Sequence, residues 1–198
     1  MRKLLLATNN AGKLSELKEL LAGVPFTLVS PKELGLELSI AETGRTYAAN
    51  ARLKARAYAQ AGGLITLADD SGLEVDALHG APGIFSSRYA GDGATDSQRV
   101  ALLLSKMNDT PFNERAARFR CVIAIAKPSG VVTLCSGSCR GAVALEPKGT
   151  YGFGYDPVFY FPKLDKTMAE LSADIKNTIS HRARAAKRAR EILIEISD

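Results

Sequence analysis

No run of about 18 apolar residues occurs in this chain, which leaves no candidate for a membrane-spanning helix. Histidine is scarce, with only His79 and His181. The three cysteines, Cys121, Cys135 and Cys139, form no Cys-x-x-Cys pair and lie far from both histidines in sequence. A zinc site therefore lacks its ligand spacing, and buried reduced thiols are expected instead. The apolar stretch Leu4-Leu5-Leu6-Ala7 is far shorter than a signal-peptide core, so it reads as a first strand, and a cytoplasmic location is expected. Residues 182–198 hold no aromatic side chain, so the basic C-terminal run lacks the stacking partners of a single-strand nucleic-acid binder. There is no internal repeat and no low-complexity segment.

What is present suits one compact domain, or two lobes sharing a core: 198 residues, 46% of them hydrophobic. The net charge of +5 fits an anionic partner such as a nucleic acid, a nucleotide or a phosphorylated metabolite. Much of the excess is local, in Lys176, Arg182, Arg184, Lys187, Arg188 and Arg190, and one solvated helix face accounts for it equally well.

Strands are expected at Lys3 to Thr8, Phe26 to Val29, Leu64 to Ala68, Arg118 to Ala126, Val131 to Ser136, Arg140 to Leu145 and Val158 to Phe161. Leu14, Leu17, Leu20 and Leu21 follow helical spacing, with Gly23 as a stop. Thr46 to Ala61 is an Ala-rich helix ended by Gly62-Gly63. Thr95 with Gln98, and Thr167 with Glu170, have the spacing of capping boxes. A last helix is expected from Arg182 to Ile196, with Ala185, Ala189, Ile192 and Ile196 on its buried stripe. Residues 72–94, rich in glycine, read as a long anchored loop. Helices and strands alternate early and strands cluster later, which predicts an α/β fold with a long mixed central β-sheet flanked by helices.

The densest chemistry lies where Leu64-Ile65-Thr66-Leu67-Ala68 runs into Asp69-Asp70-Ser71-Gly72. Two adjacent carboxylates at the end of a buried strand repel each other, and desolvation increases the repulsion. Mg²⁺ is a suitable neutralising ion, since it takes oxygen ligands and shares them with substrate phosphates. A solvated Asp-Asp turn is the plainer alternative. Thr8-Asn9-Asn10-Ala11-Gly12-Lys13 lies between a strand and a helix, where backbone N–H groups bind anions and Lys13 adds a cation. It lacks the first glycine and the Ser or Thr of a Walker motif. Glu42-Thr43-Gly44 precedes a helix on which Asn50 and Lys54 share a face, placed to meet phosphate oxygens or a water. In Gly149-Thr150-Tyr151-Gly152-Phe153-Gly154-Tyr155-Asp156-Pro157, glycines alternate with aromatics, a pattern that exposes rings for stacking on a purine while Asp156 reads the base edge. Ser180-His181-Arg182, with Lys176 before it, offers donors to a base carbonyl or a phosphate. Ser86-Ser87-Arg88-Tyr89 adds hydroxyls and a guanidinium.

These stretches together resemble the inosine triphosphate pyrophosphatase family, which hydrolyses deaminated purine nucleoside triphosphates. The matching segments are Leu6 to Lys13, Glu42-Thr43-Gly44 with Asn50-Ala51, Ala68 to Leu73, Gly80-Ala81-Pro82-Gly83-Ile84, Ser87-Arg88-Tyr89, Gly152 to Pro157 and Ser180-His181-Arg182. They fall in order along nearly the whole chain. The resemblance implies a single two-lobed domain over residues 1–198 with a cleft between the lobes, a homodimer, Mg²⁺ dependence, and cleavage between the α- and β-phosphates. It implies that Thr8, Asn9, Asn10, Ala11, Gly12 and Lys13 cradle phosphates. Asp70 becomes the catalytic acid-base residue and a metal contact, and Ser71 touches substrate. Phe153, Gly154, Tyr155 and Asp156 hold the purine, and Lys176, His181 and Arg182 complete the pocket. Ala41 stands where many relatives carry an acid, which leaves Glu42 or water to fill that metal position, with Asp69 in support. Asn9 stands where relatives often have glycine, which stiffens the phosphate loop.

The expected substrates are ITP, dITP and XTP, with Mg²⁺ as cofactor, Asp70 activating water, and Lys13 and Lys54 offsetting charge on the pyrophosphate. No nucleic-acid polymer and no membrane is expected as a partner. Two alternatives stay open at this point: a pyrophosphatase for modified pyrimidine or methylated nucleotides, and a basic non-enzymatic nucleic-acid-binding protein.

Overall fold

The computed structural model describes residues 2–196; Met1, Ser197 and Asp198 lie outside the described residues, as do the ends of the expected 1–198 domain. Among the described residues seven strands form one sheet in the order β2-β1-β3-β4-β5-β6-β7: β1 (Arg2–Leu6), β2 (Phe26–Val29), β3 (Ile65–Val75), β4 (Ala116–Ala126), β5 (Val132–Val143), β6 (Phe159–Phe161) and β7 (Lys166–Thr167). β1 runs parallel to β2 and β3, while β6 runs antiparallel to β5 and β7. The sheet is mixed, as the sequence pattern predicts. Among the described residues five α-helices accompany it: α1 (Ala11–Leu20), α2 (Tyr47–Gly62), α3 (Asp96–Lys106), α4 (Ala173–Ile179) and α5 (His181–Glu195).

The chain divides into two compact units. The first comprises the residues up to Asp70, Cys121–Gly137 and the segment from His181 on; the second comprises Ser71–Arg120 and Ser138–Ser180. In the first unit, Leu4, Leu6, Leu17, Leu21, Leu67 and Ile123 form a core with Ala185, Ala186, Ala189 and Leu193 of α5. Leu4, Leu5 and Leu6 are all fully buried, as expected of a parallel strand covered on both faces. Ile192 and Ile196 pack at the edge of this core, half-buried. In the second unit, Leu73, Val75, Leu103, Met107, Phe119, Phe159 and Met168 form a separate core.

Helix starts follow side-chain capping. Asn10 Oδ1 accepts the Lys13 N–H at 2.9 Å and opens α1, and Thr46 Oγ1 accepts the Ala49 N–H at 3.1 Å and opens α2. Thr95 and Gln98 complete the expected capping box of α3. Thr167 and Glu170 also form their box, but it opens a short 3-10 turn, and α4 starts after Ser172.

Two expectations need correction. Arg140 to Leu145 is not a separate strand: β5 runs unbroken through Ser136-Gly137-Ser138. Gly137 is needed there because a Cβ would run into the His181 carbonyl and the Ala185 N–H of α5. This close approach presses the first turn of α5 onto β5. Nor does the strand before Asp69 end at the acid pair. β3 continues to Val75, and Ser86 Oγ accepts the Leu73 N–H at 2.9 Å to hold its second half. Ser71-Gly72 is therefore extended backbone and not a turn.

Candidate active site

Residues adjacent in a strand direct their side chains to opposite faces. With β3 continuous, Asp69 and Asp70 are such a pair, and their partners differ. Asp69 is buried, and its Oδ2 lies 3.1 Å from Lys13 Nζ of α1 and 3.1 Å from Arg182 Nη2 of α5. Arg182 Nε donates to the same oxygen at 3.3 Å, and its Nη1 donates to Glu16 Oε2 of α1 at 2.6 Å. Cys121 of β4 directs its thiol at Asp69 Oδ2 from 3.9 Å. Two helices thus bring two cations to one carboxylate, and β4 adds a thiol. Burial pushes the Asp69 carboxyl up, but the charges of Lys13, Arg182 and Lys54 outweigh it and hold the group well below the ordinary carboxylate range. Arg182 is also buried, yet the charges of Asp69 and Glu16 keep it protonated against that burial.

Asp70, 5% exposed, meets another set of groups. Asn50 Nδ2 donates to its Oδ2 at 3.2 Å, and Lys54 Nζ lies 3.5 Å from its Oδ1. Lys54 also pairs with Glu42 Oε1 at 2.7 Å. Burial raises the Asp70 pKa, the charges of Lys54 and Lys13 oppose this, and Glu42 adds to the rise; the net direction is upward. Lys54 is pulled down by burial and up by Asp70, Asp69 and Glu42, with a net rise that keeps it a cation.

The solvated-turn alternative is overturned, since both acids are buried. The first unit brings together Lys13, Asp69, Asp70, Glu42, Lys54 and Arg182 from the expected set. Thr8 Oγ1 accepts the Asn10 N–H at 3.2 Å in the loop that carries Asn9, and Ala11 and Gly12 are the first two residues of α1. His181 is buried as the first residue of α5. Glu16 is the ion-pair partner that sequence spacing misses; only its contact with Arg182 reveals it. Asn50 is expected to face phosphate or water, but its amide is turned to Asp70 and Gly44.

In the second unit, the Gly149 to Pro157 segment departs from an array of exposed rings. Tyr155 is buried, and its hydroxyl donates to the Ser86 carbonyl at 2.9 Å, so its ring is core and not a stacking platform. Phe153 is half-buried and Tyr151 exposed. Asp156 Oδ2 accepts the Phe153 N–H at 3.0 Å and pairs with Lys176 Nζ at 2.5 Å. Lys176 lies 5.3 Å from the Phe153 ring centroid. The Gly154 N–H donates to Asp96 Oδ2 at 2.7 Å. Gly152 has φ +79°, and a Cβ there would strike the Asp156 carboxylate, so the turn requires glycine. Ser71, half-buried, belongs to this unit.

Among the described residues no group of three or more His, Cys, Asp or Glu gathers into a metal cage. The three cysteines are reduced and buried, as expected.

A mixed α/β sheet whose third strand sets two acids against cations from α1, α2 and α5 defines the class to which this chain belongs. The family model for the Ham1 family matches residues 4–192, and the chain is a member of that family. A dITP/XTP pyrophosphatase of Desulforamulus reducens is 52% identical over 191 residues, covering 96% of this chain and 95% of that protein. Its counterpart from Shigella flexneri is 48% identical over 189 residues, covering 94% and 95%. The solved structure of a HAM1 protein from Coxiella burnetii superposes with a TM-score of 0.88 at 43% identity, covering 98% of this chain and 100% of that one.

Proposed function

We propose that this chain hydrolyses deaminated purine nucleoside triphosphates (dITP, ITP and XTP) to the nucleoside monophosphate and pyrophosphate. The observation that carries the reading is the end-to-end likeness to dITP/XTP pyrophosphatases at about half identity, joined to a buried acid pair held among cations.

In this reading the phosphates rest on the loop from Thr8 to Lys13, whose helix N-terminus and lysine favour anions. Asp70 is the general base. Burial raises its pKa toward a range useful for accepting a proton. It takes a proton from water as the water oxygen attacks the α-phosphorus; the bond from that phosphorus to the bridging oxygen breaks, and pyrophosphate leaves with the electron pair. Lys13 and Lys54 stand beside the acids and offset the charge developing on the leaving group.

The donor set suits Mg²⁺. Asp70 and Glu42 converge on one ammonium, and an ion of this kind takes one or two carboxylates plus substrate phosphates and not an all-protein cage. Bound there, it would neutralise phosphate charge and polarise the reacting anhydride. Asp69 has Lys13 and Arg182 as partners and takes the supporting place among the proposed ligands.

The base end is assigned to Phe153, Gly154, Tyr155, Asp156 and Lys176, with Ser71 at the sugar-phosphate and His181 and Arg182 beside the six-position carbonyl, His181 as its donor and Arg182 acting from behind through its ion pairs with Asp69 and Glu16. An amine facing such a donor costs about 1–3 kcal/mol, which supports rejection of ATP. Tyr155 serves by holding the turn, since its ring is buried. The proposal includes a single two-lobed domain with the substrate cleft between lobes, a homodimer, and a cytoplasmic location, with no nucleic-acid or membrane partner. No helix among the described residues is long and apolar enough to cross a membrane.

The test is pyrophosphate release with Mg²⁺ across dITP, ITP, XTP, GTP and ATP. Fast release from the first three and slow release from ATP is the expected result. Equal release from all five, or release confined to pyrimidine or methylated nucleotides, would refute it.

A further inference from the structure

Asn50 is the fourth residue of α2 and is fully buried. Its amide is used at both ends. Oδ1 accepts the Gly44 N–H at 2.8 Å, and Nδ2 donates to Asp70 Oδ2 at 3.2 Å. The orientation is fixed by chemistry, because an N–H must face an oxygen acceptor and the carboxylate must face a donor. The same segment, Glu42-Thr43-Gly44, carries the glutamate that pairs with Lys54, whose ammonium also faces Asp70. Gly44 fits only because it has no side chain: a Cβ would lie 2.5 Å from Asn50 Oδ1 and 2.7 Å from the Ala49 Cβ.

We infer that Asn50 is a positioning residue that ties the Glu42–Gly44 segment to Asp70, so that both carboxylates of the proposed site are set by one amide. The assignment rests on Asp70 as the base of the proposed reaction. It explains why an amide occupies a helix position whose neighbours Ala51 and Ala55 are small and apolar. Any residue that cannot both accept from Gly44 and donate to Asp70 breaks one half of the tether.

Three variants separate the halves. Asn50→Asp keeps an oxygen for Gly44 and loses the donor to Asp70. Asn50→Ala loses both. Gly44→Ala leaves Asn50 in place and pushes its amide, and it serves if the Asn50 variants do not fold. For each variant kcat should fall roughly tenfold or more, with KM changed by less than about threefold, as for the loss of one hydrogen bond to a charged group in the transition state. Amide hydrogen exchange at Gly44 should stay slow in Asn50→Asp and rise roughly tenfold in Asn50→Ala. Active-site-normalised kcat within about twofold of wild type in both Asn50→Asp and Gly44→Ala would overturn the inference, as would a lowered Tm with unchanged kcat per folded molecule. Wild-type protein that releases no pyrophosphate from dITP or XTP refutes the proposed reaction instead, and the Gly44 exchange comparison then still tests the tether.

Discussion

Asp69 and Asp70 are neighbours in β3, yet their surroundings drive them apart: Lys13 and Arg182 hold the first carboxylate ionised, while burial pushes the second toward its neutral form. Two carboxylates with separated affinities for protons can take two roles, one fixed and one reactive.

Replacing each acid by its amide should therefore move stability in opposite directions. Asp69→Asn leaves Lys13 and the buried Arg182 short of a counter-charge, and loss of one partner of a buried pair costs about 3–5 kcal/mol. Asp70→Asn removes a carboxylate whose ionised form burial disfavours, so its Tm should equal or exceed that of wild type while turnover is abolished and nucleotide binding persists. Thermal melts and pyrophosphate release on the two variants check this. Near-normal turnover of Asp70→Asn would remove it from catalysis.

The acid limb of stability follows from the same pair. Asp69 has a folded-state pKa below its ordinary value of 3.8, so its stabilising contribution is present above that value and is lost as pH falls below it toward the folded pKa. Asp70 has a raised pKa, so its destabilising contribution is present at neutral pH and relieved as pH falls through that pKa. Tm against pH should show a drop below about pH 4 in wild type that is weakened in Asp69→Asn.

Glu42→Gln should raise the Mg²⁺ concentration needed for half-maximal rate, because Ala41 offers no replacement oxygen and Lys54 loses an ion-pair partner. A Mg²⁺ titration of initial rates measures it. An unchanged midpoint would show that Glu42 is not a ligand.

The thiols should be inert in the native protein. Burial pushes Cys121 up to about 12 and Cys135 up to about 11, and Cys139 is also buried. A chromogenic disulfide reagent should find no fast-reacting thiol at pH 8 and three after denaturation.

Tyr155→Phe should lower stability by about 0.5–1.5 kcal/mol, the worth of one hydrogen bond, through loss of the contact to the Ser86 carbonyl. Denaturant unfolding at constant m-value checks it.

Much of this molecule is legible in the sequence because its signals are local. Capping residues Asn10, Thr46 and Thr95 mark helix starts, and the apolar runs of β1 and β4 mark buried strands. The misread places are those where distant contacts override local chemistry. Ser71-Gly72 has the composition of a turn, but β3 runs through it, and Ser86 and the Ala81–Pro82 segment bond the Leu73–Val75 stretch that follows. Gly137 looks like a strand break until α5 is packed on it. The acid pair is visible as chemistry and the family resemblance divides its roles, but the contacts around it are not legible, because Arg182 and Asn50 reach the pair from other elements and Glu16 in turn pairs with Arg182.

The guanidinium of Arg182 joins Glu16 and Asp69 across 166 and 113 residues of chain. During synthesis the Asp69 carboxylate therefore has Lys13 within reach first and meets this guanidinium only after α5 has been made. A chain that stops before His181 holds Lys13 and Asp69 without the guanidinium that shares this carboxylate.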